Sequence, residues 1–86
     1  MTVYVDNMRA RYQRMVMCHM AADTREELFD MCDKIGLDTR WLQYPGTWRE
    51  HMDVSLSKRA LAVRNGAVEV TRQELVRWMI DTRRGV

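Results

Sequence analysis

Short apolar runs alternate with polar stretches along the chain, and the period of each run predicts its element. Residues 2–6, TVYVD, are rich in β-branched and aromatic side chains and read as a short strand ending on Asp6. The polar residues 7–13, NMRARYQ, read as a connection. Residues 14–22, RMVMCHMAA, form the longest apolar run and contain no turn residue, which predicts a strand buried on both faces and central in its sheet.

The period then changes to that of a helix. In residues 22–36, Thr24 and Glu27 stand at capping-box spacing, Leu28, Phe29, Cys32 and Ile35 form an apolar stripe, and Gly36 supplies a left-handed stop. Residues 37–53 are the least regular: Asp38 can cap a brief turn, RWLQY has the make-up of a short strand, and Pro45-Gly46 marks a turn. A second helix is predicted after Ser55 as N-cap, with Leu56, Ala60, Leu61 and Val63 on its buried side and Asn65-Gly66 at its end. AVEV reads as a strand. A last helix follows, capped by Thr71 and Glu74, with Leu75, Val76, Met79 and Ile80 facing inward and Arg83 and Arg84 at its negative end. The order β-β-α-(β)-α-β-α predicts an α+β or small α/β fold, a small sheet covered by helices.

Composition sharpens this picture. Eighty-six residues with 47% hydrophobic content make a single globular domain, residues 1–86, with a thin core. No apolar run approaches the roughly 20 residues of a membrane span, and the first residues lack the apolar segment of a signal peptide. Cys18 and Cys32 then read as free, buried thiols of a cytoplasmic protein. The net charge is only +2, but twelve of the fourteen cations are Arg, whose fork suits phosphate; a GC-rich genome would explain the same bias.

The candidate chemistry concentrates in residues 48–63, WREHMDVSLSKRALAV. If the segment around His51 and Asp53 is extended, both side chains project the same way, and a carboxylate beside an imidazole suits proton transfer. The plain reading makes Asp53 a helix cap and His51 an exposed side chain. Lys58 and Arg59 would sit in the first turn of a helix, where cations are disfavoured unless an anion binds there. Their plain reading is a pair of solvated charges neutralised by Asp53 or Glu50. His19 shares a strand face with Met15 and Met17; it is either a buried His with one hydrogen bond or a general acid or base. Trp41, Gln43, Tyr44 and Trp48 crowd the irregular segment as stacking groups or as a cover for the core.

For a metal, Cys18, His19, Cys32 and His51 lack any preorganising spacing, so neither metal nor cofactor is expected. The smaller set of His19, His51 and Asp53 has no motif to support it. Asp6, Asp53 and Glu74 echo the acidic cluster of PIN-type nucleases, but Glu74 already has a capping role.

The ordered blocks VYVDNMR, MCHMAADTREEL, WLQ, HMD and SLSKRALAVRNGAVEVT resemble the domain-of-unknown-function 4031 family, small proteins of bacteria and their phages. The resemblance runs over nearly the whole chain. It departs at Met52 and Leu42, where the family favours aromatics. It implies a shared site near His19, Asp23, Gln43, His51, Asp53, Ser57, Lys58 and Arg59, with no activity attached to it.

The expectation is therefore a cytoplasmic binding domain for a phosphate-bearing anion, a nucleotide or nucleic acid, held by Lys58, Arg59, Gln43, Trp41 and Ser57. The alternative is a small phosphodiesterase or nuclease using His51, His19 and Asp53. A third reading is a protein-interaction module, either an inhibitor of a host factor or a homo-oligomer such as a homodimer. No membrane partner is expected.

Overall fold

The computed structural model of the chain describes residues 2–84. Among these it forms an α+β domain with a mixed five-stranded sheet and three α-helices. Strands β1 (Val3–Val5) and β2 (Ala10–Tyr12) both run antiparallel to the long strand β3 (Met15–Ala22). Val5 pairs with Met20 and Ala10 with Met17, so the four residues between them on one side face two on the other. The two extra residues bulge out between β1 and β2, and Arg9 takes a positive φ of 53° to absorb them. β2 lies in the stretch expected to be a plain connection. Its charged, edge-strand composition gives no apolar alternation to read. The turn into β3 places Gln13 at φ 56°, without the Gly or Asn that would have announced a hairpin.

Helix α1 (Arg25–Ile35) has the expected cap at Thr24 and the expected left-handed Gly36, φ 73°. The RWLQY segment forms a 3₁₀ turn, Thr39–Trp41, rather than a strand; only Gln43 bridges onward, to His51. The fourth strand is instead β4 (Met52–Ser55), which pairs antiparallel with β3. Its signal was the alternation of Met52 and Val54, both fully buried, with His51 and Asp53. Helix α2 (Leu56–Arg64) follows directly from Ser55, whose hydroxyl accepts from the Lys58 N–H. The short strand β5 (Val68–Glu69) pairs parallel to β1, and α3 (Arg72–Met79) carries the full capping box of Thr71 and Glu74 before a π-helical turn, Ile80–Arg84.

The sheet separates two cores. On one face Val5, Cys18, Met20, Met52 and Val54 pack against Leu28, Met31 and Cys32 of α1 and Ala62 of α2. On the other, Ala21 packs against Leu75 and Met79 of α3, with Tyr4, Trp48 and Trp78 around them. Two helix faces differ from expectation. Leu56 and Ala60 are exposed because α2 meets the sheet through Ala62, flanked by Leu61 and Val63; Val76 is exposed because α3 is short and presents it beside a cleft. β3 is buried at Cys18 and continuously from Met20 to Ala22, while His19 is partly open and Met15 is exposed at the strand's start.

Candidate functional site

His19 lies on the α3 face of β3, one alternation before Ala21. The small α3 core ends at Ala21, so His19 borders a cleft of about 340 Å³ with His51, Trp48, Arg49, Arg72 and the α3 residues Leu75, Val76 and Met79. The position of His19 is set by the bulge. Its backbone carbonyl accepts from the Asp6 N–H, 3.0 Å, and its own N–H donates to Asp6 Oδ1, 2.8 Å. Asp6 Oδ1 also accepts from the Met8 N–H, and Asp6 Oδ2 lies 2.7 Å from His19 Nδ1. The carboxylate thus replaces the ladder partner that the bulge displaces. Burial alone would push the Asp6 carboxyl upward; the bonds from His19 and Met8 outweigh it and hold the group below its ordinary value.

Because both backbone groups of His19 point toward Asp6, the directly opposed residue on the other edge, Asp53, forms a pair without backbone hydrogen bonds. Such pairs bring their side chains closest. His51 is two residues before Asp53 and projects from the same face. Its backbone is held by Gln43, whose N–H donates to His51 O and whose carbonyl accepts from His51 N–H. The two imidazoles meet edge to face, ring centres 4.6 Å apart. His51 Nδ1 is 2.6 Å from the Arg49 carbonyl, and its Nε2 is 3.3 Å from Asp53 Oδ1. His19, His51 and Asp53 each offer a donor atom within 4.8 Å of the others. Chain spacing gave no reason to expect a metal set here, yet the sheet register assembles one from two strands.

The other candidates lie elsewhere. Lys58 Nζ donates to the carbonyls of Ile35, 2.7 Å, and Gly36, 3.3 Å, at the C-terminus of α1. Arg59 donates to the Asp6 carbonyl and to Glu69. Both cations are therefore matched by internal acceptors, which resolves the electrostatic oddity of cations at the α2 start. Neither uses Asp53 or Glu50 as its counter-charge: Asp53 faces His51, and Glu50 pairs with Arg25 and accepts from the Gly46 N–H. The Asp53 capping role belongs to Ser55. Ser57 is exposed beside Ser55, and Trp41 is 56% exposed rather than a cover for the core, with the Arg40 guanidinium over its ring. Asp6 does not join an acidic cluster with Glu74, which caps α3.

The structure also supplies groups that sequence reasoning passed over. Arg49 stacks over Tyr44 and lines the cleft; Arg72 opens α3, its N–H donating to the bulge residue Asn7. Among the described residues neither forms an ion pair. With twelve arginines in the chain, no local signal distinguishes these two.

Fold and site together define a small α+β domain with a His-His-Asp cluster at the mouth of an arginine-flanked cleft. The chain belongs to the family described as protein of unknown function (DUF4031), whose model matches residues 3–82. No curated protein and no solved structure matches it. No helix among the described residues is long and apolar enough to cross a membrane.

Proposed function

We propose that the protein binds a phosphate-bearing ligand, a nucleotide or a short nucleic-acid segment, in the cleft between β3, the segment leading into β4 and α3. The observation that carries this reading is that Arg49 and Arg72, neither in an ion pair among the described residues, line the same cleft as His19 and His51. Two guanidinium forks are donors suited to phosphate oxygens. The volume, about 340 Å³, suits a phosphate and part of a nucleotide rather than an extended duplex. A net charge of +2 also argues against a broad electrostatic nucleic-acid face. The second hollow, about 200 Å³ beside α1, is lined by Glu27 and Asp30 against one cation, Lys34, and is less suited to an anion. Recognition thus moves from Lys58 and Arg59 to Arg49 and Arg72. The two free, buried cysteines favour a cytoplasmic setting.

Titration calorimetry with inorganic phosphate, a nucleotide panel and short oligonucleotides tests this. Combined Arg49→Ala and Arg72→Ala should weaken binding by at least about 100-fold, since hydrogen bonds to charged groups contribute about 1.5–3 kcal/mol each. Lys58→Met should leave affinity unchanged. Binding that ignores the two arginines, or depends on Lys58, would overturn the reading.

A second reading, hydrolysis of the bound phosphoester, is favoured by the Asp6–His19 pair. A buried carboxylate orients an imidazole whose other nitrogen is free for general acid or base work. Steady release of product, abolished by His19→Gln, would distinguish it from binding alone.

A further inference from the structure

The hydrogen bonds around the two imidazoles determine which ring nitrogen carries a proton. A backbone carbonyl can only accept, so His51 Nδ1, 2.6 Å from Arg49 O, must be the N–H donor. Nε2 of the neutral ring then bears a lone pair, and that lone pair is 3.3 Å from a carboxylate oxygen of Asp53. Two electron-rich atoms at that distance repel unless a positive charge lies on or between them. On the His19 side, the Asp6 carboxylate accepts two backbone N–H bonds and faces Nδ1, which again puts the proton on Nδ1 and leaves Nε2 available. Both rings are thus oriented through Nδ1 by an oxygen acceptor. This is the outer-shell arrangement by which proteins prepare imidazoles for a metal.

We propose that His19, His51 and Asp53 bind one divalent transition-metal ion of the zinc class, with Asp6 and the Arg49 carbonyl as the outer shell. The donor set argues for the class of ion. Two imidazole nitrogens and one carboxylate suit zinc, iron, cobalt or nickel, whereas calcium and magnesium prefer all-oxygen shells. Three protein ligands leave at least one position open, as in exchangeable rather than purely structural sites. The donor atoms lie within 4.8 Å of one another, and donors on a tetrahedral ion stand about 3.4 Å apart. Closing that gap takes a modest side-chain movement. Asp53 has the freedom for it, its side chain being 40% exposed, while His19 and His51 are held by their Nδ1 bonds. The cysteines take no part: Cys18 faces the opposite core and Cys32 lies on α1 within it.

The site rests on the same cleft as the phosphate reading but not on its arginines, so the two stand or fall separately. The test uses the full chain stripped of metal with a chelator, then titrated with zinc, cobalt and magnesium chlorides without phosphate. One zinc ion should bind per chain, with magnesium at least about 100-fold weaker because hard cations disfavour imidazole. The cobalt form should show visible ligand-field bands and no sulfur-to-metal charge-transfer band. Asp53→Ala, at a half-exposed position that the fold tolerates, should weaken zinc binding by at least about 100-fold. Asp6→Asn, which removes no ligand, should weaken it by about 10–100-fold. The Arg49→Ala/Arg72→Ala variant should bind zinc normally even if phosphate binding is lost. Zinc binding absent in the native chain, unaffected by Asp53→Ala, or accompanied by a thiolate band would overturn the proposal.

Discussion

At the scale of single residues, Asp6 connects most of the site. Its carboxylate takes the place of a ladder acceptor for His19 and also binds Met8, its carbonyl accepts from Arg59, and its N–H donates to the His19 carbonyl. Asp6→Ala would leave the His19 and Met8 N–H groups without their acceptor and should cost about 3 kcal/mol in a urea melt. The pH dependence follows from the direction of its shift. Its folded pKa lies below the ordinary 3.8, so its contribution is fully present above the ordinary value and is lost as pH falls through the depressed one. Urea midpoints should therefore hold down to about pH 5 and drop in more acid solution, with a shallower drop in Asp6→Asn. Cys32 behaves in the opposite sense: burial, reinforced by Asp33, pushes its thiol up to about 11. Alkylation at pH 8 should be negligible in the native chain and prompt in urea. The pairing of His51 with Asp53 was legible in the sequence because alternate residues of an extended segment share a face. The role of Asp6 was not, because it depends on a bulge that only strand register reveals.

At the scale of elements, Lys58 couples two helices. It sits in the first turn of α2, yet its ammonium caps the last carbonyls of α1, where a cation is favoured. Lys58→Met keeps the aliphatic stem and removes the charge, and should destabilise the fold by about 1–2 kcal/mol in urea unfolding. Zinc and phosphate binding should be unchanged, since none of the bonded partners of Lys58 lies in the cleft. The cation at the α2 start was visible in the sequence as a departure from helix electrostatics. Its explanation lies 23 residues away along the chain, in the C-terminus of another helix, and no local pattern contains it.

At the scale of the whole molecule, the C-terminal turn ties down the segment that leads into the site. Arg83 was expected merely to complement its own helix end. Its guanidinium instead donates to the carbonyls of Ala22, Glu50 and Trp48, joining the end of β3 to the segment that leads into His51. Arg83→Lys cannot reproduce that planar fork, and should lose about 2 kcal/mol of stability and slow-exchanging amides around residues 48–51, as read by hydrogen exchange.

The sequence by itself determined the three helices with their caps at Thr24, Ser55 and Thr71, and the central strand. These rest on interactions within a few residues, and an apolar period or capping pair records them directly. It also brought forward His19, His51 and Asp53. Only the tertiary structure decided that these three belong together and that Lys58 and Arg59 do not. That outcome depends on β3 pairing with β4 in one register and with a bulged β1–β2 on its other edge. A shift of one residue would have turned Asp53 to the opposite face and dispersed the cluster.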